Sequence, residues 1–481
     1  MSRPLTTASV VDFGVDRTDA EPIHVQIARQ LRELVLSGRL KPEVKLPSTR
    51  ALAQDLKVAR ATVVEAYDQL LGEGYLETSI GSGTRVAAQL PETLLAAAPR
   101  AAKAKPSLIH ANKRVAAKPF RSGLVDWEHF PHDEWGRILG RFWRNPPIAL
   151  LEHNDPLGWL PLRHAISQHL FEWRGLECEA EQVIVTAGGM DAFDLIQRAT
   201  LKAGDALWLE EPGYATARHV FAQAGLKIIS VPVDAEGLVV ERGRKMAPHA
   251  KAAFVTPARQ YPTGVTMPLS RRLELLDWAA GAGATIIEDD YDSEYRYVGR
   301  PLPALMSLDS QARVIYSGTF SKVFSPLVRL GFLVVPKHLL GPFREARAVH
   351  GAPPSLIVQP ALASFMASGA FAVHIRRMRR IYAIRREALI AALQPGHGKY
   401  YQLEASPSGL MLLLRLSTSD VAVAQELAKA GVQVQTLSSH YGGTEKSQGL
   451  LLSFAGFPER ELQNAAKILV ETIAAFNGAS T

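Results

Sequence analysis

The chain has 481 residues, of which 47% are hydrophobic and 21% charged, with a formal net charge of +7. That length exceeds one ordinary core and implies two or three domains, and the balance of residues excludes a disordered chain. The single cysteine, Cys178, excludes an intramolecular disulfide and a cysteine-rich metal site, so no metal is expected. No apolar run reaches spanning length and the first residues lack the core of a secretion signal, so the expected compartment is the cytoplasm, without a membrane.

The charge is uneven. Residues 1–120 hold 17 basic and 12 acidic residues, a net +5, and residues 86–121 hold seven basic residues against one acid, Glu92. A basic front end points weakly to a polyanionic partner. From Pro22 the spacing of Ile23, Ile27, Leu31 and Leu34 predicts a helix ending at Ser37-Gly38. Lys41–Pro47 reads as a tight extended connection, after which Ser48 caps a short helix from Thr49 to Leu56. A third helix is predicted from Arg60 to Leu71, burying Val63, Ala66, Tyr67 and Leu70. Gly72–Thr78 and Gly81–Val86 then read as a β-hairpin with a glycine-rich tip.

Two helices joined by a short turn and followed by a hairpin make a winged helix-turn-helix. In that geometry Arg60 and Thr62 lead the third helix into a major groove, and Arg50 faces the phosphate backbone or a base edge. Ser82 and Gly83 let the wing approach a phosphate or the minor groove. The run Leu46-Pro47-Ser48-Thr49-Arg50-Ala51-Leu52-Ala53, then Ala59-Arg60-Ala61-Thr62-Val63, Glu73-Gly74-Tyr75-Leu76 and Gly81-Ser82-Gly83-Thr84, resembles the GntR superfamily of bacterial transcription factors over residues 20–87. The resemblance implies DNA contacts by Arg50, Arg60 and Thr62. One departure is Ala59, where a serine or threonine often caps the recognition helix.

Residues 88–120 are Ala-rich, punctuated by proline and basic, and read as an extended tether. Two readings of its cations stay open: added nonspecific attraction to DNA, or a merely solvated spacer.

From residue 121 to 481, apolar strands alternate with amphipathic helices, which predicts an α/β domain with a mostly parallel sheet. The informative residues fall in loops after the predicted strands, where ligands of such sheets gather. After Val183–Thr186, Gly188 and Gly189 open a helix whose N–H groups and dipole suit a phosphate. After Ala206–Leu209, Pro212-Gly213 sets Tyr214, which can stack on a flat ring. After Ala284–Ile287 come Asp289 and Tyr291; a carboxylate at a buried strand end suits a protonated pyridine nitrogen, and the tyrosine suits a ring oxygen. Finally Ala312–Tyr316 reads as a buried strand that places Lys322 on the loop leaving a sheet edge. Ser317-Gly318-Thr319-Phe320-Ser321-Lys322, with Arg329 seven residues on, is what pyridoxal phosphate (PLP) needs: an amine for a Schiff base, with hydroxyls such as Thr319 and a guanidinium for the phosphate.

The order of these fragments resembles fold-type I PLP enzymes of the aspartate aminotransferase type. The resemblance implies Gly188, Gly189, Thr319 and Arg329 at the phosphate, Tyr214 on the ring, Asp289 at the ring nitrogen, Tyr291 at the ring hydroxyl and Lys322 as the Schiff-base lysine. Joined to a GntR-type domain, it resembles the MocR subfamily of bacterial regulators, which implies a head-to-tail homodimer. There are departures from the aminotransferase pattern. Tyr261, preceded by Gln260, stands where an asparagine usually contacts the cofactor, and Arg259 replaces a histidine common in the subfamily. Gly449–Phe454 is apolar where an arginine would clamp a substrate carboxylate. Without that clamp an amino acid is poorly placed for transamination, so turnover is not expected. The expected function is a PLP-dependent regulator that binds operator DNA and senses an amine or amino-acid effector as an external aldimine. Two alternatives stay open: an active aminotransferase with a DNA-binding appendage, and a regulator that senses PLP itself.

Overall fold

A computed structural model describes residues 14–79, 83–90, 118–152, 155–299, 303–350, 354–443 and 446–478. The chain divides into two compact units, Met1–Arg114 and Val115–Thr481. Among the described residues no single helix is long and apolar enough to cross a membrane.

In the first unit, helices α1 (Ile23–Leu36), α2 (Thr49–Asp55) and α3 (Arg60–Gly72) enclose one small core, in which Ile27, Leu31, Leu52, Val63, Ala66, Tyr67 and Leu70 are all buried. The Ser48 hydroxyl accepts the Ala51 N–H at 3.2 Å and so starts α2. Ala59 begins α3 with no side-chain cap. Tyr67 donates to the Pro47 carbonyl at 2.9 Å, tying α3 to the connection before α2. The wing is a hairpin of β1 (Leu76–Ser79) and β2 (Gly83–Val86), in register from Leu76↔Val86. Its first strand starts later than the sequence suggests. Gly74, at φ +81°, closes α3 and lets the Tyr75 N–H reach back to the Leu70 carbonyl at 3.0 Å, so 72–75 cannot be extended. The stretch at Val44–Leu46 lies along the other edge of β2, with Val86 N–H to Val44 O and Leu46 N–H to Thr84 O.

The second unit is built on an eight-stranded sheet of β3 (Val183–Thr186), β4 (Ala206–Glu211), β5 (Lys227–Asp234), β6 (Gly237–Leu238), β7 (Ala252–Val255), β8 (Thr285–Asp290), β9 (Val314–Thr319) and β10 (Gly331–Val334). Its order is β3-β10-β9-β8-β7-β4-β5-β6. The sheet is parallel from β9 through β5, while β10 runs antiparallel to both its neighbours and β6 to β5. Strands β3, β7 and β10 are buried throughout, as expected for a sheet covered on both faces. One covering layer holds Trp208 stacked on Trp278 with ring centroids 3.6 Å apart. A second, antiparallel sheet of β11 (Gln402–Glu404), β12 (Met411–Leu416), β14 (Gln448–Ser453) and β13 (Gln435–Thr436), in that order, packs with the helices Ala370–Leu393 and Glu459–Gly478.

The lysine strand departs from its expected form. Ala312 sits at φ +54° and precedes the strand, which starts at Val314 and runs on through Thr319. Lys322 lies in the helical turn Phe320–Val323 rather than on a loop, because the Thr319 hydroxyl accepts the Ser321 N–H and starts that turn. Strand β9 is interior, between β10 and β8, so the lysine leaves the middle of the sheet and not its edge.

Candidate cofactor site and nucleic-acid interface

A cavity of about 430 Å³ opens at the ends of β3, β8 and β9. Gly188, Gly189, Tyr214, Asp289, Tyr291, Thr319, Lys322 and Arg329 all line it. Backbone geometry explains how they meet. Gly188, at φ +106°, turns the chain from β3 into the helix Gly189–Thr200, whose start lines the cavity. The helix start is held by Asp191, which accepts the Ala187 N–H at 2.8 Å and takes a two-point contact from Arg347 at 2.9 Å each. Strand β10 crosses close to this turn, and a Cβ on Gly331 would lie 2.9 Å from the Gly318 carbonyl and 3.2 Å from Gly188 Cα. Only glycine permits that approach. Arg329, in the left-handed region at φ +51°, ends the turn after Lys322 and starts the return into β10.

Asp289 accepts a hydrogen bond from the Ser317 hydroxyl on the neighbouring strand at 3.0 Å. Burial raises its pKa to about 7 against that bond, with Asp290 adding like-charge repulsion. Burial also pushes the Lys322 ammonium down, while Asp292 opposes the shift. A lowered pKa favours the unprotonated amine, the form that attacks an aldehyde.

Three tyrosines frame the cavity edge to face: Tyr214 with Tyr261 at 5.5 Å and Tyr261 with Tyr291 at 5.7 Å. The Tyr291 hydroxyl accepts from the Arg259 guanidinium at 2.7 Å, and burial raises its pKa well above the usual value. Arg259 is itself fully engaged. It donates to the carbonyls of Ser408 and Met411 at 3.0 and 2.9 Å, and Gly409 has no side chain because the guanidinium occupies that space. Tyr261 places its hydroxyl 3.1 Å from His440 Nε2 and 3.3 Å from Gln435 Oε1, and so it turns toward the second sheet. Gln260 is buried and bonded to Glu210 and the Pro212 carbonyl.

The sequence reading missed one wall. Ser122, Gly123 and Leu124 line the cavity, and a Cβ on Gly123 would sit 3.6 Å from Lys322 Nζ. This strap is anchored on both sides. Upstream, Phe120 is fully buried and bridges Ser453, and the Pro119 carbonyl accepts the Gln433 N–H. Downstream, Asp126 is buried against Arg385 at 2.6 Å and accepts His129 N–H, and its own N–H donates to the Tyr382 hydroxyl. A Cβ on Gly456 would strike Leu124 at 2.7 Å. The one available signal was Gly123, whose φ of +88° suits glycine, but nothing local ties it to a lysine about 200 residues away.

In the winged-helix unit, Arg50 and Arg60 are exposed and Thr62 half-buried. Arg60 Nε reaches only to 3.5 Å from the Thr49 hydroxyl, which leaves its guanidinium free to engage another partner. Gly83 sits at φ +84° with Lys45 beside it, 3.1 Å from where a Cβ would lie. Lys45 therefore adds a cation at the wing that sequence reasoning did not single out. Ser82 lies outside the described residues.

The cavity suits a flat, phosphorylated ring bearing an aldehyde. It offers a helix start, hydroxyls and a guanidinium for a phosphate, a buried carboxylate for a ring nitrogen, and a buried amine. Comparison with known proteins agrees with this reading. Residues 153–469 match the family described as aminotransferase class I and II, and residues 23–86 match the gntR family of bacterial regulatory proteins. The chain is 37% identical over 467 residues to the probable rhizopine catabolism regulatory protein MocR of Rhizobium meliloti, covering 95% of this chain and 94% of that one. It is also 37% identical over 462 residues to the pyridoxine biosynthesis transcriptional regulator PdxR of Corynebacterium glutamicum, covering 94% and 97%. Among solved structures, a Pyrococcus horikoshii kynurenine aminotransferase is similar with a TM-score of 0.69 and 26% identity, over 75% of this chain and 92% of that one. The aminotransferase relationship implies PLP chemistry for the large domain. With a GntR DNA-binding domain ahead of an aminotransferase-like domain, the chain belongs to the MocR type of GntR-family transcriptional regulators.

Proposed function

We propose that this regulator holds PLP in the cavity at Lys322 and uses it to sense a small amine. In this reading residues 20–87 bind operator DNA, the tether expected over 88–120 ends before Pro119 and Phe120, which pack into the effector domain, and that domain runs to 481, acting in the cytoplasm as a head-to-tail homodimer. The observation that carries the proposal is the strap. The cavity wall beside Lys322 Nζ is the stretch Ser122–Leu124, and the chain runs back from it into the tether.

When bound, PLP supplies an aldehyde with which primary amines condense and a ring that draws off electrons. Each residue role rests on the geometry above. The start of the helix Gly189–Thr200, the hydroxyls of Thr319 and Ser321, and Arg329 receive the phosphate. Asp289, its carboxylate held by the Ser317 hydroxyl, would face the ring nitrogen. Tyr214 would lie against the ring, and the Tyr291 hydroxyl, which accepts from the Arg259 guanidinium and donates to the Arg259 carbonyl at 3.2 Å, would have to turn its proton to the ring oxygen. Lys322 supplies the amine. A ligand amine that takes its place must enter the space bounded by Gly123. A strap that changed neighbours when an amine entered would supply the differential interaction a ligand needs in order to shift an equilibrium. On the DNA side, Arg60 and Thr62 lead α3 into the major groove, Arg50 contacts the backbone or a base edge, and Ser82 and Gly83 bring the wing to a phosphate.

The test is the visible absorbance of the purified protein. A Lys322-dependent band, lost in Lys322→Ala and altered by an amine that also changes operator affinity, supports the proposal. A protein without that band, or a Lys322→Ala variant that keeps it, refutes the cofactor assignment. Steady turnover of an amino acid with a keto acid refutes the sensor role in favour of catalysis. Light scattering at twice the 52.5 kDa chain mass tests the dimer.

A further inference from the structure

Lys45 belongs to the connection before α2, outside both strands of the wing hairpin, yet it is bridged directly to Arg85 of β2. The bonds flanking that bridge run from Val86 N–H to the Val44 carbonyl at 2.9 Å and from Leu46 N–H to the Thr84 carbonyl at 3.0 Å. They make Lys45 and Arg85 a close, non-hydrogen-bonded pair with both side chains on one face of the wing. Alternation sends Val44, Leu46 and Val86 to the core and leaves Lys45, Arg85, Glu77 and Gly83 on the outer face.

On that face Gly83 is the diagonal neighbour of Lys45 toward the tip of the wing, within reach of a long side chain. The lysine takes that direction: its Cε lies 3.1 Å and its Nζ 3.6 Å from where a Cβ on Gly83 would stand. Glycine at 83 therefore serves twice, by adopting φ +84° and by leaving room for the lysine stem. The acid in this row, Glu77, faces Arg85 from the far side and not Lys45. Lys45 is exposed, and among the described residues its ammonium makes no hydrogen bond or ion pair. Its backbone is held through both neighbours, and two residues on, the Pro47 carbonyl is tied to Tyr67 of α3. A cation placed on so firm a base loses little freedom on binding. An ammonium is a compact point charge that suits a phosphate and lacks the fork that reads a base edge.

Resting on the reading of residues 20–87 as the operator-binding domain, we propose that Lys45 is a DNA-binding residue. Its ammonium, laid over Gly83, carries the phosphate contact of the wing, and that contact is indifferent to base sequence.

The experiment titrates full-length protein by fluorescence anisotropy between about 50 and 200 mM salt. Two duplexes of equal length are used, an operator selected in vitro with the parent protein and a mixed-sequence duplex. Lys45→Ala weakens both by the same factor, about three- to tenfold at the lowest salt, and the slope of log affinity against log salt becomes shallower by about 0.9 for each winged helix engaged. Lys45→Arg keeps the parent slope. Single methylphosphonates, each removing one phosphate charge, then locate the contact: one position that costs the parent affinity costs Lys45→Ala nothing further. Should Lys45→Ala lower the melting temperature, Lys45→Met, which keeps a stem over Gly83, takes its place with the same expected slope. An unchanged slope overturns the inference, as does a loss confined to the operator or a methylphosphonate series in which every position costs parent and variant alike. Parent protein that binds neither duplex fails the operator-binding reading itself, and the inference with it, so the two failures are distinguishable.

Discussion

Asp289→Asn separates the two tasks that the buried carboxylate performs. Without cofactor the side chain is a liability: burial raises its pKa from 3.8 to about 7. The folded state therefore holds the proton more tightly than the unfolded chain. Stability from this group is fully present below pH 4 and is lost as pH rises through 7. The difference between those two values corresponds to roughly 4 kcal/mol as an upper limit. Asp289 lines an open cavity, which brings the expected cost to about 2 kcal/mol. Asparagine removes the ionisation and still accepts from Ser317. Cofactor-free Asp289→Asn should then match the parent at pH 4 and exceed it at pH 8. For a unit of this size each kcal/mol is worth about 1–2 °C, so the gain is about 2–4 °C. With PLP the sign reverses, because the variant lacks the charge facing the ring nitrogen. A charge-assisted bond is worth about 1.5–3 kcal/mol, which predicts a ten- to hundredfold weaker affinity. Thermal melts from pH 4 to 8, with and without PLP, together with a spectral titration, measure both arms. Shifts of one sign in both forms, or a pH profile parallel to the parent, would refute the placement of Asp289.

Four further outcomes follow from the geometry. Arg329→Ala should weaken PLP binding by about 10- to 100-fold in an equilibrium titration, and unchanged affinity would remove the guanidinium from the phosphate site. Gly123→Ala forces a side chain into φ +88° and against Lys322, at a cost of roughly 1–2 kcal/mol; the PLP-loaded variant should lose its amine response in DNA binding, and a normal response would take the strap out of the signalling route. Arg385→Ala strands the buried Asp126 carboxylate at a cost of about 3–5 kcal/mol, seen as a lower melting temperature; a change under 1 kcal/mol would mean the strap is held elsewhere. Arg60→Ala should lower operator affinity by about 1–3 kcal/mol and relax preference at one base pair, measured by fluorescence anisotropy on a substituted operator series.

The features open to sequence reading share a cause: they depend on neighbours close along the chain. Val63, Ala66, Tyr67 and Leu70 mark one face of α3 by spacing alone, and Ser48 starts α2 through a bond three residues away. The strand ends near Gly188, Tyr214 and Asp289 were legible for the same reason, since each follows a run of buried β-forming residues, although β8 continues past Ile287 to Asp290 and holds Asp289 within the strand, paired with Ser317, and not on the expected loop. The hidden features depend on contacts distant in sequence. Arg259 looks like a substitution until its acceptors at Ser408 and Met411, some 150 residues on, are seen. Gly123 gains meaning only beside Lys322. The second sheet escaped notice because β11 and β13 are three and two residues long, too short for alternation to register. The continuation of β9 through Ser317, Gly318 and Thr319 was obscured by residues of low strand propensity, held extended by pairing with β10.

That same antiparallel hairpin acts as a ruler. Strands β9 and β10 pair from Thr319↔Gly331 onward, so the turn between them begins and ends at fixed points. Lys322 and Arg329 both lie within it. The spacing of amine and guanidinium is thus set by the length of one closed turn and not by the packing of separate elements. Evolution can exchange the side chains around the cavity, and with them the ligand, without recalibrating this distance. A single inserted or deleted residue between Phe324 and Val328 would alter it at once. Change in ligand choice is therefore free to accumulate on the strap and on the second sheet, while the hairpin stays constant in length.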